Sequence, residues 1–184
     1  LREYDQTVSL YTRERGKLNL LAKGIKKITS KNSSNLEVLS LAEVETAVGK
    51  EVEHLTKVQP IKIFKNIYSD FDKIWLAQYV VRLAEENILP AEPDEKIFNL
   101  LISFFEFLDS AEKINSLNLV TGFIFKLWHC LGFSDTAYIF WLEENWQKIN
   151  AKPEVKMFES AKSFAEQHSG RQLAKFIESD RITV

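Results

Sequence analysis

Tyr11-Thr-Arg-Glu-Arg-Gly-Lys-Leu-Asn-Leu-Leu-Ala-Lys-Gly-Ile-Lys-Lys27 decides how the amino-terminal part of this 184-residue chain folds. β-Favouring runs lie on both sides of the turn signal Arg15-Gly16, so Thr7–Tyr11 and Lys17–Ile25 are expected to pair as an antiparallel hairpin. Side chains alternate along a strand. Lys17, Asn19, Leu21 and Lys23 therefore share one face, and Leu18, Leu20 and Ala22 share the other. Such a strand can bury one side and offer cations on the opposite one. Gly24 permits a bulge or a tight bend.

Outward from the hairpin, Lys26–Asn35 is basic and then Ser/Asn-rich, as expected of an exposed loop. Leu36–Val48 and Val52–Val58 flank Gly49-Lys50 and read as a second strand pair, which makes a small antiparallel β domain. Of 22 Phe, Trp and Tyr residues only Tyr4 and Tyr11 lie within residues 1–60, so a boundary is placed near Pro60, with a β domain at 1–60 and a helical domain at 61–184. After Pro60 the apolar period becomes helical. Asp70–Asn87 puts Phe71, Ile74, Trp75, Tyr79 and Leu83 at spacings of three and four. Pro93-Asp94-Glu95 marks a helix start, because proline suits a first turn and carboxylates suit the positive end of the helix dipole. Ile97–Leu108 is apolar nearly all round and is expected to be the central helix. Further helices are expected from about Ile114 to Leu131, after Ser134-Asp135, and from Lys152-Pro153 to about Glu178. The whole is α+β, strands first, with five or six helices packed as a bundle.

Charge separates the same two regions. Residues 1–31 hold eight Lys/Arg against three Asp/Glu, a local +5, while the remaining 153 residues hold 16 against 23. Lysine and arginine bind phosphates through charge and hydrogen bonds and release condensed counterions, which makes affinity salt-dependent and largely sequence-independent. Arg13, Arg15, Lys17, Lys23, Lys26, Lys27 and Lys31 are the candidate DNA-binding residues. Charged residues on the outside of a small β domain are commonly just solvated, but only Glu14 interrupts the cations from Arg13 to Lys31. Sequence-tolerant single-strand binders usually stack bases on aromatic rings. With only Tyr4 and Tyr11 at hand, phosphate-dominated binding that tolerates duplex and single strands alike is expected.

Several chemistries find no support. A single cysteine, Cys130, excludes an internal disulfide and a multi-cysteine zinc site and suits a reducing, cytoplasmic compartment. The most apolar stretch, Leu119–Phe133, is interrupted by Gly122, Lys126 and His129 and falls short of the roughly 20 residues a membrane helix needs. His129-Cys130 are neighbours, and adjacent helical residues diverge by about 100°, so they do not converge on one ion. No nucleophile elbow, P-loop or dinucleotide fingerprint occurs. Glu85-Glu86 and Glu143-Glu144 are adjacent rather than facing pairs. No enzyme, cofactor, metal or small-molecule substrate is expected. Trp128, Phe133, Tyr138, Phe140, Trp141 and Trp146 form an aromatic stripe that is core in most helical domains; the alternative is a groove for a partner peptide, involving Lys126, Trp128 and Lys148.

Three segments resemble the RecO family of DNA-repair and recombination mediators: Tyr4–Lys27 with its Thr-Arg-Glu-Arg-Gly-Lys and Leu-Ala-Lys-Gly runs, the helix ending Leu131-Gly132-Phe133, and Phe164-Ala-Glu-Gln-His-Ser-Gly-Arg-Gln-Leu173. The resemblance implies an N-terminal OB-type antiparallel β-barrel joined to a C-terminal helical bundle. It also implies non-catalytic binding of single- and double-stranded DNA, strand annealing and recombinase loading. The implied partners are RecR, RecA and single-stranded-DNA-binding protein, in a cytoplasmic, nucleoid-associated setting. The sequence departs from the family pattern in three places. It lacks the four-cysteine zinc module of many relatives and passes through Ser134–Lys152 instead; it has Gly122-Phe123-Ile124 where Arg-Phe-Glu is common; and the family's first strand lies upstream of the equivalent of Leu1, so a barrel lacking that strand is expected. A protein-interaction adaptor, with the bundle docking partner peptides and the basic hairpin incidental, is the competing expectation.

Overall fold

Strand β1 (Gln6–Thr12) and strand β2 (Gly16–Ala22) pair antiparallel, with Val8 opposite Leu20 and Leu10 opposite Leu18. The alternation along Lys17–Lys23 is thereby realised: Leu18, Leu20 and Ala22 turn to the core while Asn19 is exposed. The computed structural model describes residues 3–26, 36, 38–133, 135–152 and 157–173. Strands β3 (Ser40–Val48) and β4 (Glu53–Ile63) form a second antiparallel pair, with register shifts at Leu41/Ala42 and Glu45/Thr46 that bend it. The sheet order is β1-β2-β4-β3, and β2 meets β4 in parallel, Leu21 against His54.

The α+β layout, strands first and helices after, is the expected one, while the OB-type antiparallel barrel expected to lack its first strand is realised as an open sheet. Among the described residues the sheet is open, with β1 and β3 at its edges, and one of its three joins is parallel. Its core is Leu20, Ala22, Ile25, Leu55 and Val58, with Val8, Leu10, Leu18, Leu36, Ala42 and Val44 packed around them. Each fully buried aliphatic side chain of this kind contributes about 1.5–3 kcal/mol.

The chain divides into two compact units: residues up to Phe64 together with Leu89–Phe98, and Lys65–Ile88 together with everything from Asn99 onward. β4 runs through Pro60 to Ile63. The return of Leu89–Phe98 to the sheet unit has a local cause. The Ala91 N–H donates to the Lys17 carbonyl at 3.0 Å, and Pro90 forms a parallel bridge with Lys17. The Tyr11 hydroxyl donates to the Asp94 carbonyl at 3.3 Å. Gly16, at φ +65°, lies so close to the Glu92 backbone that a side chain would collide with it.

The second unit carries α1 (Phe71–Asn87), most of α2 (Glu95–Ser110), α3 (Ser116–Cys130), α4 (Ile139–Glu143), α5 (Trp146–Asn150) and α6 (Phe158–Ser169). The Asp70 carboxylate caps α1 by accepting the Asp72 and Lys73 N–H groups at 2.9 and 3.1 Å, and Asn115 caps α3 from the Asn118 N–H. α3 is the element buried on nearly every side: Leu119, Val120, Phe123, Ile124 and Leu127 are inaccessible, and α1, α4, α5 and α6 pack around it. This corrects the expectation that Ile97–Leu108 is central. Asn99, Ser103 and Glu106 give α2 an exposed polar side, while Phe104 and Leu108 are buried. The stretch after Asp135 is not one helix but a 3-10 turn (Thr136–Tyr138) followed by two five-residue helices broken at Glu144, where Asn145 starts α5 by accepting the Lys148 N–H. Asp94 caps α2, accepting from the Lys96 and Ile97 N–H groups, so Pro93 precedes the helix instead of lying in its first turn. α6 ends at Ser169 with Gly170 as its left-handed cap, which corrects the helix expected to run to about Glu178; residues beyond Leu173 lie outside the described residues.

Candidate nucleic-acid interface

The basic residues lie at the two ends of β2. Arg13 and Arg15 sit in the β1–β2 turn and Lys17 opens the strand, whereas Lys23 and Lys26 occupy the turn that follows it. At about 3.3 Å per residue, β2 separates these ends by about 20 Å. Along a duplex axis that distance spans about six phosphates of one strand. Lys27 and Lys31 lie outside the described residues.

Each end has its own chemistry. The Arg13 guanidinium stands over the Phe98 ring, 4.9 Å from its centroid, and remains exposed. Arg15 is bound bidentately to Glu53, Nη1 to Oε1 at 2.6 Å and Nη2 to Oε2 at 2.8 Å, and the Thr46 hydroxyl donates to the same Oε1. The hydrogen bonds from Arg15 and Thr46 hold the Glu53 carboxyl down at about 2, and the Arg15 pKa is raised by the same pair. Lys17 is partly buried, and its backbone is bridged to Pro90 and accepts the Ala91 N–H. The far end is more open. Gly24 donates its N–H to Asp5 Oδ1 at 2.7 Å, the Lys26 N–H donates to the Tyr4 carbonyl at 3.2 Å, and Ile25 is buried in the core. These contacts fix the turn backbone and leave the Lys23 and Lys26 side chains exposed; among the described residues neither has an ion-pair partner.

Aromatic surface is scarce here. The first unit holds Tyr4, Tyr11, Phe64 and Phe98. Phe64 is buried, the Tyr11 hydroxyl is engaged by Asp94, and Phe98 carries Arg13, which leaves Tyr4 as an exposed ring. The site can therefore bind anions and has little with which to stack bases. Among the described residues no three His, Cys, Asp or Glu side chains gather as metal ligands, and no helix is long and apolar enough to cross a membrane.

The expected peptide groove of Lys126, Trp128 and Lys148 does not assemble. Trp128 is 1% exposed and Trp141 and Trp146 are buried with it, so a partner cannot reach these rings. Phe104 meets Trp146 edge-on at 5.0 Å and Phe123 at 5.2 Å, as a core does. Phe133 and Phe140 are 37% and 39% exposed at the margin of the stripe. The Lys126 ammonium donates to the Leu142 carbonyl at 2.6 Å and lies 5.6 Å from the Trp146 ring centroid, and burial lowers its pKa. Lys148 is exposed.

Sequence reasoning did not find Glu53, Thr46 or Phe98. Glu53 is 38 positions from Arg15, and nothing local marks it as an arginine partner. The Leu89–Phe98 return was equally silent, since its contacts are made by backbone groups and by Phe98.

Two sequence-family models match the chain: "Recombination protein O N terminal" over residues 1–64 and "Recombination protein O C terminal" over residues 68–134. Among similar curated proteins, the DNA repair protein RecO of Geobacter metallireducens is 30% identical over 138 residues, covering 70% of this chain and 56% of that protein. The DNA repair protein RecO of Dehalococcoides mccartyi (strain ATCC BAA-2266 / KCTC 15142 / 195) is 38% identical over 113 residues, covering 59% of this chain and 43% of that protein. That of Desulfitobacterium hafniense (strain DSM 10664 / DCB-2) is 28% identical over 110 residues, 60% of this chain and 40% of the relative. The chain thus spans about half the length of the curated relatives it matches.

Proposed function

The chain belongs to the RecO family, and from that premise we propose that it is a non-catalytic DNA-binding mediator of recombinational repair that holds single- and double-stranded DNA by its phosphates. Lys23 and Lys26 are the primary phosphate ligands, with Arg13 and Lys17 adding charge at the other end of β2 and Lys27 and Lys31 extending the set. The observation that carries this proposal is the pair of exposed lysines, without ion-pair partners among the described residues, on a turn whose backbone is pinned by Asp5 and Tyr4. A fixed backbone under long cationic side chains suits a ligand whose phosphates vary in spacing. The scarcity of exposed rings supports binding that does not depend on unstacked bases, so both substrate and product of strand annealing are held.

Annealing, recombinase loading, cooperation with RecR, RecA and single-stranded-DNA-binding protein, and a cytoplasmic, nucleoid-associated location complete the proposal. The test is a titration of labelled single-stranded and duplex oligonucleotides at several salt concentrations. If five of these six cations contact phosphates on a single strand, the log–log slope is about −3.5. A slope near zero, or binding restricted to one DNA form, contradicts the mechanism and favours the adaptor.

A further inference from the structure

Arg15 carries a side chain well shaped to grip a phosphate, and it is already occupied. A guanidinium presents a planar fork of donors that matches carboxylate and phosphate alike. In this chain both prongs of that fork end on the two oxygens of Glu53, at 2.6 and 2.8 Å. The pair is held from both sides. The Arg15 N–H donates to Thr12 Oγ1 at 3.1 Å, and the Thr12 hydroxyl in turn donates to the Gly16 carbonyl, which fixes the turn backbone beneath the arginine. The Thr46 hydroxyl fixes the carboxylate from β3.

The position is nonetheless open to solvent. The Arg15 side chain is 51% exposed and that of Glu53 20%. A polyanion arriving at the hairpin tip can reach the guanidinium, but it meets a pair of zero net charge rather than a cation. To gain the contact it must displace a carboxylate that carries its own two hydrogen-bond partners.

We propose that Glu53 sets how many phosphates this hairpin neutralises, by holding Arg15 out of the polyanion-binding set; this rests on the DNA-binding function proposed above. Glu53 acts here as a positioning residue, through Arg15, and does not itself touch the ligand. The consequence runs against the usual expectation for a basic site. Removing an acidic residue on β4, a strand that carries neither Lys23 nor Lys26, adds one phosphate contact. It leaves the existing ones in place. One added contact on single-stranded DNA steepens the log–log salt slope by about 0.7 and, extrapolated from 1 M salt, is worth about five-fold in affinity at 0.1 M.

The experiment uses the whole chain and a single-stranded oligonucleotide, titrated across a salt series with wild type, Glu53→Gln and the double variant Glu53→Gln/Arg15→Gln. The amide keeps the size of Glu53 and an oxygen for the Thr46 hydroxyl; Glu53→Leu replaces it if circular dichroism shows loss of the fold. The expected result is a slope steeper by about 0.7 in Glu53→Gln that returns to the wild-type value when Arg15 is also removed. An unchanged slope in Glu53→Gln overturns the proposal. So does a steepening that survives the loss of Arg15, because the effect then belongs to the missing negative charge in general. Failure of wild type and variant alike to bind the oligonucleotide refutes the DNA-binding function itself, an outcome distinct from binding with no change of slope.

Discussion

Replacing Gly16 with alanine tests how the Leu89–Phe98 segment is held on the sheet. Two costs combine at this position. The backbone sits at φ +65°, where an L side chain is disfavoured by about 1–2 kcal/mol. The added Cβ also falls on the Glu92 backbone, and backbone cannot swing aside as a flexible side chain would. Overpacking of this kind costs a further 1–3 kcal/mol or so. Gly170 supplies an internal control: it has the same φ of +65°, and a Cβ there has nothing within 4 Å. Urea denaturation of Gly16→Ala and Gly170→Ala therefore separates the two costs, with the first expected to lose about 2–5 kcal/mol and the second about 1–2 kcal/mol. Hydrogen exchange reads the same event locally. The Ala91 N–H, bonded to the Lys17 carbonyl, should lose protection in Gly16→Ala and keep it in Gly170→Ala. Displacement of the segment also uncovers Tyr11 and Lys17, so the salt slope of DNA binding should steepen. Equal stability losses in the two variants, with the Ala91 amide still protected, refute the close-approach argument.

Trp128→Ala should cost about 3–5 kcal/mol, since the ring is almost fully buried, while leaving the salt slope of DNA binding unchanged; a loss under about 1 kcal/mol on denaturation contradicts the placement of Trp128 in the core. Burial and the nearby Glu86 raise the Tyr79 hydroxyl to about 12 from 10.0. The folded state then binds a proton more tightly than the unfolded one, so stability is intact below about 10 and declines by up to about 2 kcal/mol as pH rises to about 12. Tyr79→Phe should lack that share of the alkaline decline, and equal declines in both proteins count against it. The Glu53 carboxyl carbon, followed by NMR, should titrate with a midpoint near 2, because the Arg15 and Thr46 hydrogen bonds hold it ionised; a midpoint near the ordinary 4.5 shows the pair absent in solution.

Local patterns predicted the strands well and their assembly poorly. The Leu18, Leu20, Ala22 alternation and the Arg15-Gly16 turn placed both ends of β1 and the start of β2 within one residue and the end of β2 within three, because strand pairing here is set by period and turn chemistry. The parallel β2–β4 join depends on long-range packing, for which a sequence offers no period to read. Ile97–Leu108 looked central because phenylalanines crowd it, yet Asn99, Ser103 and Glu106 recur at spacings of four and three and mark an exposed face. α3 is less aromatic and more completely buried, with even Asn118 and Thr121 enclosed, their side chains donating to the Lys152 and Leu117 carbonyls. At the site, composition located the basic hairpin, but charge alone does not say which cations are spoken for. Arg15 is engaged by a carboxylate from β4, Lys17 lies against a segment that returns from beyond α1, and only the three-dimensional arrangement shows that Lys23 and Lys26 are exposed without such partners among the described residues.

The proposed DNA binding rests on neutralisation of polyanion by the turn after β2. Lys23→Glu/Lys26→Glu measures it directly, with single-stranded oligonucleotide binding followed across a salt series. Loss of two phosphate contacts should flatten the log–log slope by about 1.4 relative to wild type while the circular dichroism spectrum stays unchanged. A folded double variant that binds with the wild-type slope contradicts the account.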